Sequence, residues 1–357
     1  MTQLEIANSR CHNQQLTETG IRTAGELVAW FGAVQGQEYA QTKWGLGLRL
    51  PHLRDKDIEA ELDEGKMIRT HLLRPTWHFV RAKDVSWLLQ LSAPRVHAVN
   101  GTMYRKLNLE PEELKRYGDW IGEALEGNRH LTRPEIADLL AEKKVHAEGM
   151  RLSYIMMHAE LEGLVCSGKR KNNRFTYALL KERCPATQLL TREEALAEIT
   201  VRYFQSRGPA TMADFSTWSG LTMSDCKSGV ELQKDKVERM TVDNVDYYRC
   251  DNLRTAVAKP HLLLLPEYDE MIMGYKNRQA LFQAFDIMEN EFNTIRTVHN
   301  CMILCNSQVT GTYKRTIRGK SAFFDFDFYR KLNKDERRML EDQLAFFTWF
   351  SGLKVMA

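Results

Sequence analysis

Two glutamines two residues apart, Gln35 and Gln37, are the side chains of this sequence best suited to fixing a water molecule in place. An amide oxygen accepts a hydrogen bond and an amide nitrogen donates one, so two neighbouring amides can hold a water between them. An amide is a poor base, and the pair cannot strongly deprotonate that water. The pair therefore suits a hydrolysis whose leaving group departs without help from an acid or a base.

The backbone around the two glutamines decides whether their amides can act together. Residues i and i+2 of a helix lie about 200° apart around its axis, whereas in an extended segment they share a face. Gly36, between the glutamines, weakens helix continuation. We therefore predict that the helix Glu26–Val34 ends there, that both amides project into one site, and that Glu38 points the opposite way.

The composition is that of a globular protein of two or three domains, with 357 residues, 43% apolar and 10% aromatic. No segment reaches the roughly 18 uncharged apolar residues of a membrane span. The first residues carry an acid and no apolar segment, so we expect no signal peptide, no membrane association and a cytoplasmic location, at the nucleoid in a bacterium. Only Cys301 and Cys305 are close among seven scattered cysteines, which favours reduced thiols and no metal site.

Positive charge is concentrated in short runs although the net charge is only +3. That net charge does not by itself indicate nucleic-acid binding. Residues 168–174 and 312–320 are basic runs between strand-like segments. Each is either a solvated hairpin tip or a contact for a polyanion.

Three stretches of the chain share one pattern of a helix end, a short strand, a polar turn and a second strand. They are residues 58–80, 157–178 and 230–249. Helix-start signals precede the second and third, at Thr132 with Pro134, at Thr191 with Glu194, and at Thr211. Helices followed by a β-hairpin form the winged-helix plan, which serves protein binding as well as DNA binding.

The C-terminal third is richer in strands. Residues 260–266 form a short apolar run between two prolines, and residues 298–315 suggest two strands joined by a polar turn. Residues 323–329 alternate aromatic and acidic side chains, so one face of that strand should be buried. A helix over residues 334–347 closes the domain, and its basic residues alternate with acids as on a solvated face.

Four segments, in order along nearly the whole chain, resemble winged-helix DNA glycosylases of the AlkZ-like family, which act in alkylpurine and crosslink repair. The segments are residues 34–49, 69–78, 203–215 and 264–276, the last followed by 311–315. The resemblance implies an α+β fold of three tandem winged-helix units and a small β-barrel-like C-terminal domain around a cleft for duplex DNA. The corresponding domains are residues 1–125 with the glutamine motif, 126–187, 188–256 and 257–357.

The family's catalytic motif is a glutamine pair with one residue between, and some members carry Asp in the second position. The resemblance thus implies that Gln35 and Gln37 are catalytic, as in the crosslink-unhooking branch, with Gly36 where an apolar residue is usual. The implied activity is hydrolysis of the N-glycosidic bond of N7-alkylated purines in double-stranded DNA, including interstrand crosslinks. Such a base is cationic and leaves as a neutral molecule, so a positioned water suffices without a general acid.

The implied enzyme is a monofunctional glycosylase without cofactor, metal or obligate protein partner. No lysine is marked as a Schiff-base nucleophile, although Lys43 leaves that point open. Two other functions remain open for the same fold: a non-catalytic DNA-binding regulator or damage sensor, and a module that binds another protein.

Candidate DNA contacts fall on the resembling segments and on the basic runs, where they would bind phosphates without reading sequence. They are Lys43, Arg49, Arg69, His71, Arg74, His78, Lys169, Arg170, Lys171, Lys276, Lys314 and Arg315. A surface salt bridge is the alternative for Lys43, Arg49, Arg69, Arg74 and Lys276, and a packed or hydrogen-bonded strand position is the alternative for His78. Trp44 and Trp77 are either core residues or platforms on which bases stack. Asp269 and Glu270 either act at the site or pack the barrel-like C-terminal domain against the winged-helix units.

Overall fold

The computed structural model describes residues 1–184, 187–250, 260–283 and 301–356. The predicted domain boundary at residues 256 and 257, and the first residues of the strand predicted from residue 298, lie outside these ranges. Over the described residues the fold is a mixture of helices and small antiparallel sheets, as the α+β prediction requires.

The N-terminal part surrounds the glutamine motif with four helices and a hairpin. Its elements are α1 (Gln3–Asn13), α2 (Ala24–Phe31), β1 (Val34–Gln35), α3 (Tyr39–Arg49), α4 (Asp55–Asp63), β2 (Met67–Leu72) and β3 (Arg74–Arg81). The strands form a sheet in the order β1-β3-β2. The two-residue strand β1 therefore lies at a sheet edge and pairs with β3 alone.

The second part repeats helices followed by a hairpin, as predicted. It comprises α5 (Val85–Lys106), α6 (Pro111–Leu125), β4 (Leu131–Thr132), α7 (Arg133–Glu142), α8 (Gly149–Leu161), β5 (Val165–Ser167), β6 (Thr176–Leu179) and α9 (Leu180–Arg183). The Thr132 hydroxyl caps α7, with Pro134 in the first turn, as the sequence indicated.

The third part has the same plan. It comprises α10 (Arg192–Arg207), α11 (Met212–Ser219), α12 (Met223–Leu232), β7 (Val237–Val242) and β8 (Val245–Cys250). Thr191 and Glu194 form the predicted capping box, and Thr211 caps α11. Asp243 and Asn244 turn the hairpin with φ of 49° and 60°, a conformation that short Asx side chains tolerate.

The C-terminal part is built on a five-stranded sheet in the order β13-β12-β11-β10-β9. The elements are β9 (Leu262–Leu265), α13 (Glu270–Met273), β10 (Cys301–Cys305), β11 (Gln308–Arg318), β12 (Ser321–Phe328), α14 (Lys334–Ser351) and β13 (Lys354–Met356). In the predicted alternating strand, Ala322 and Phe324 are buried while Phe323 and Asp325 are exposed. The sheet is open over the described residues, so the barrel-like shape stays a prediction.

The helix before the glutamine motif was predicted three residues too long at its C-terminal end. The sequence predicted Glu26–Val34, and α2 spans Ala24–Phe31. Thr23 and Glu26 form a capping box that sets its start. Gly32 then adopts φ +79°, which glycine reaches without a Cβ penalty and which ends the helix before the motif.

One hydrophobic core joins the N-terminal part to the C-terminal sheet. Trp44 of α3 packs on Phe346, Phe347 and Phe350 of α14, with ring centroids 5.1–5.4 Å apart. The Trp44 indole also donates to the Leu264 carbonyl of β9 at 2.8 Å. Trp44 is thus a core residue, and it fixes α3, directly after the motif, against the C-terminal part.

Every helix in the described ranges is too short or too polar to cross a bilayer.

Candidate active site around the glutamine pair

Gln35 is held by hydrogen bonds on its backbone and on its side chain. Its N–H donates to Glu270 Oε1 at 2.8 Å, and its carbonyl accepts from Thr42 Oγ1 at 3.1 Å. Its side-chain oxygen accepts from Arg74 Nη2 at 2.9 Å. The residue is 3% exposed and lies opposite His78 in the sheet. Three segments of the chain, α3, β3 and the segment of Glu270, therefore fix Gln35.

Gly36 continues the extended path beyond β1. Its N–H donates to the Trp77 carbonyl at 2.7 Å, and its own carbonyl accepts from Arg69 Nε at 2.8 Å. A Cβ at this position would lie 3.0 Å from Phe79 Cδ1 and 3.2 Å from the Phe79 backbone nitrogen. The glycine is accordingly required by close packing on Phe79 rather than by a positive φ.

Gln37 opens into a groove of about 440 Å³. Its carbonyl accepts from Arg69 Nη2 at 3.1 Å, while its side chain has no hydrogen-bond partner within the part of the chain that the structure describes. The groove has cationic and aromatic walls from both halves of the chain, including Tyr39, Lys43, Arg69, Arg170, Phe175, Arg315 and Phe350. Two predicted basic runs, one from the second hairpin and one from β11, thus converge beside Gln37.

The two glutamines line different cavities. Gln35 borders a narrow cavity of about 10 Å³ with Thr42, Arg49 and Tyr268. That volume accommodates about one water molecule. The shared water site predicted for the two amides stays a prediction, with Gln35 beside the small cavity and Gln37 on the groove.

Glu38 does not point away from the site as predicted. It is exposed and lines the same groove as Gln37. The prediction assumed that the extended segment continues through residue 38, but the chain bends at Gln37 and Glu38 and enters α3 at Tyr39. The alternation of an extended strand therefore ends at Gln37.

A buried carboxylate lies directly behind Gln35. Glu270 is 1% exposed and accepts hydrogen bonds from Arg207 Nη2 at 2.6 Å and from Trp218 Nε1 at 3.1 Å, besides the Gln35 N–H. Arg207 also donates to the carbonyls of Phe31 and Ala33, at the end of α2. Arg207 and Trp218, which the sequence did not single out as site residues, therefore support the motif from the third part of the chain.

Asp269 and Arg49 form a second buried ion pair beside the first. The two Arg49 amino groups lie 2.8 and 2.9 Å from the two carboxylate oxygens of Asp269, in a bidentate arrangement. Arg49 Nη2 donates further to Gln14 Oε1 at 2.8 Å. Asp269 therefore packs the C-terminal part against the N-terminal helices, as the packing alternative describes, whereas Glu270 joins the C-terminal part to the third part and to the Gln35 backbone.

Several predicted phosphate contacts are engaged inside the protein. Arg49 is 2% exposed and its donors are used as described above. Lys43 is 4% exposed and contacts Asp55 at 2.8 Å and Glu59 at 2.6 Å. His71 is buried against Glu160, and its ring centroid lies 4.6 Å from that of Trp77 with the two planes inclined by 42°. Both cations are paired with carboxylates, but they are buried rather than at the surface as the salt-bridge alternative had it. His71 has a carboxylate partner of its own.

His78 is fully buried in the strand opposite Gln35. Its Nδ1 lies 2.9 Å from the Thr76 carbonyl, and burial lowers the pKa of the imidazole well below its usual value. The neutral ring therefore donates its Nδ1 proton to that carbonyl. This is the packed strand position that the sequence left open as the alternative.

The remaining predicted cations divide between the groove and the outer surface. Arg69 lies in the groove wall, with its guanidinium 4.1 Å above the Trp77 ring. Arg74 binds Gln35, as described above. The exposed lysines are Lys169, Lys171, Lys276 and Lys314. Of these, Lys171 pairs with Glu135 at 3.3 Å.

Comparison with known proteins places the chain in one family. A model of the AlkZ-like DNA glycosylase family matches residues 28–350. The interstrand DNA cross-link repair glycosylase of Streptomyces sahachiroi is 22% identical over 291 residues, covering 73% of this chain and 77% of that protein. The structure of the Streptomyces sahachiroi DNA glycosylase AlkZ superposes with a TM-score of 0.82 at 17% identity, covering 100% of this chain and 99% of that one.

The family match includes the glutamine motif, the groove-lining arginines and both buried ion pairs. By the extent of that match, the chain belongs to the AlkZ-like DNA glycosylase family.

Proposed function

We propose that the protein is a monofunctional DNA glycosylase that hydrolyses the N-glycosidic bond of N7-alkylated purines in double-stranded DNA, including purines within interstrand crosslinks. Gln35 and Gln37 position the attacking water. The relative named as an interstrand cross-link repair glycosylase supports the extension to crosslinks. The proposed site of action is the cytoplasm, at the nucleoid of a bacterial cell.

The observation that carries this proposal is the convergence of three arginines beside Gln37. Arg69, Arg170 and Arg315 come from β2, the second hairpin and β11, and all line the groove onto which Gln37 opens. Guanidinium groups bind phosphates in pairs of parallel hydrogen bonds. Arg69 uses its Nε and Nη2 donors on the Gly36 and Gln37 carbonyls. A duplex whose backbone lies along Arg170 and Arg315 would bring the damaged nucleotide to the glutamine motif.

The hydrogen bond from Arg74 fixes which end of the Gln35 amide is free. Because the oxygen accepts from Arg74 at 2.9 Å, the nitrogen remains to donate to a water oxygen. The Gln37 side-chain oxygen, which has no partner in the described ranges, can accept a hydrogen bond from the same water. This arrangement polarises the water while the cationic base leaves as a neutral molecule, so the site needs no strong base.

The proposal includes the predicted domain plan. The three hairpins would be wings, in units spanning residues 1–125, 126–187 and 188–256, and residues 257–357 would form the barrel-like domain. Each described hairpin follows helices of its own unit, and Arg170 in the turn of the second hairpin reaches the groove. The wings would therefore contact the DNA backbone rather than read bases.

The test is release of N7-methylguanine from alkylated duplex DNA. We expect Gln35→Ala and Gln37→Ala each to slow release by about 100-fold, the loss typical of one polar group that positions or stabilises the reacting atoms. Gln90→Ala is the matched control, because Gln90 is an exposed glutamine on α5 away from the groove. A wild-type protein that released no more base than the double variant, yet bound undamaged DNA, would be a non-catalytic DNA-binding protein.

A second variant tests whether the amides suffice. Glu38 lines the groove, and its carboxylate would be a stronger base than either glutamine. We expect Glu38→Gln to release N7-methylguanine at a rate within a few-fold of wild type. A loss as large as that of Gln37→Ala would assign the water activation to Glu38 instead.

A further inference from the structure

A group of three metal-binding side chains lies between α5 and α8, apart from the glutamine motif. His97, His158 and Glu162 each offer one ligand atom, and the three atoms all lie within 4.8 Å of one another. His97 is distant in sequence from His158 and Glu162, and no sequence motif marks the three residues as a group.

The helices place these side chains on facing surfaces. His158 lies in the last turn of α8 and Glu162 follows four residues later, a spacing that stacks two side chains on one face. His97 projects from the neighbouring helix α5, with its ring 5.0 Å from that of His158. His97 Nε2 lies 3.0 Å from Glu162 Oε1. Two ligands of a tetrahedral zinc ion are about 3.3 Å apart, so a small contraction would close the set around one ion.

Tyr104 supports the His97 ring from its other side. Its hydroxyl lies 2.9 Å from His97 Nδ1, two turns further along α5. Metal-bound histidines usually donate their second ring N–H to such an outer partner, which fixes the tautomer. In the tautomer that donates Nδ1–H to Tyr104, the Nε2 lone pair faces the Glu162 carboxylate and can bind a metal ion. In the other tautomer Nε2–H donates to Glu162 at 3.0 Å, so a bound metal ion would take the place of that proton.

His158 supplies a third donor without a competing partner. Within the described part of the chain neither of its ring nitrogens has a hydrogen bond, and its neighbours here are the rings of His97 and Tyr104. Neutral imidazole and carboxylate together are ligands that Zn²⁺ prefers.

We propose that His97, His158 and Glu162 bind a divalent transition-metal ion of the Zn²⁺ type, with a water in the fourth position. The ion joins α5 to α8. Glu160, between the two α8 ligands in sequence, points to the other side and contacts His71 of β2. Metal binding therefore holds α8 between α5 and the hairpin that pairs with β1, and its role is structural rather than part of the hydrolysis.

Equilibrium binding of Zn²⁺ and Co²⁺ to the purified full-length protein, freed of metal by chelation, tests the site. We expect one ion per chain, a rise in melting temperature with Zn²⁺, and a Co²⁺ spectrum without thiolate charge-transfer bands. His158→Ala should abolish saturable binding, and Tyr104→Phe should weaken it about 10-fold, as loss of an outer partner does. His146→Ala is the matched control, because His146 is an exposed histidine beside Glu148 that lies outside the group.

Glu162→Gln keeps the test valid if a histidine variant fails to fold. Glu162 has a side chain that is 57% exposed, so its substitution should leave the fold intact while weakening binding. Binding to this variant as tight as to wild type would overturn the proposal. So would thiolate bands in the Co²⁺ spectrum, which would place the ion on cysteines, or the absence of stoichiometric binding to the wild-type protein.

Discussion

The substitution Glu270→Gln would test whether the buried carboxylate holds the glutamine motif in place. The carboxylate is 1% exposed and accepts from Arg207, Trp218 and the Gln35 N–H. Glutamine has the same shape but no charge, and its amide nitrogen must replace one of the two accepting oxygens. Arg207, itself 0% exposed, then keeps a positive charge in the core, and Glu270 is its carboxylate partner among the described residues.

The expected cost follows from these contacts. Removing one partner of a buried ion pair lowers stability by roughly 3–5 kcal/mol, because the other charge stays desolvated. Urea denaturation followed by tryptophan fluorescence should show this loss, since Trp218 donates directly to Glu270. Glu231→Gln is the control, because Glu231 pairs with Lys234 on the surface and should change stability by at most about 0.5 kcal/mol.

A double variant separates the charge from the hydrogen bond to Gln35. Arg207→Met with Glu270→Met replaces both charges by apolar side chains of similar length, which is often nearly neutral for a buried pair. The Gln35 N–H and the Trp218 indole N–H would each lose their acceptor, at about 1–3 kcal/mol apiece. The double variant should therefore be about 2–6 kcal/mol less stable than wild type. A Glu270→Gln variant within about 1 kcal/mol of wild type, or a double variant as stable as wild type, would refute this reasoning.

Three further predictions concern the strand, the histidine opposite it and the groove. Gly36→Ala should lower stability by roughly 1–3 kcal/mol in urea denaturation, because the added Cβ would lie 3.0 Å from Phe79; an unchanged midpoint would show that Phe79 can move. His78 has a folded-state pKa below its unfolded value, so its contribution to stability is lost as the pH falls below about 6.5, by about 1.4 kcal/mol at pH 5.5. Between pH 6.5 and pH 5.5 the free energy of unfolding should therefore fall less in His78→Asn than in wild type, and urea denaturation at the two pH values measures the difference. Arg170→Ala should reduce the slope of log affinity against log salt for duplex DNA by about one, whereas Lys181→Ala, on the exposed helix α9, should leave it unchanged.

Local signals in the sequence predicted most of the secondary structure correctly. The capping threonines Thr132, Thr191 and Thr211 start the helices that were expected from them. Short-range rules work here because a cap or an alternating strand depends on residues within a few positions. The end of α2 was misjudged because apolar residues continue past Gly32, and only the left-handed conformation of that glycine reveals the break.

The partners of the charged residues could not be predicted from the sequence. Arg49 and Asp269 are 220 residues apart, and Arg207 and Glu270 are 63 apart. Nothing in the sequence around Arg49 or Arg207 distinguishes a cation that pairs with a buried carboxylate from one that is exposed to solvent. Arg49 therefore appeared to be a phosphate ligand, and Arg207 was missed although it lies in a segment that carried the family resemblance.

The site depends on long-range contacts because the strand that carries Gln35 is too short to be stable alone. A two-residue edge strand such as β1 contributes little pairing energy of its own. Its geometry is instead imposed by three hydrogen bonds. Glu270 accepts from the Gln35 N–H, Arg74 donates to the Gln35 side-chain oxygen, and Arg69 donates to the Gly36 carbonyl. Glu270 belongs to the C-terminal part and is held by Arg207 of the third part. The position of the Gln35 amide is therefore set by the packing of separate parts of the chain, so substitutions far from the groove in sequence can displace it.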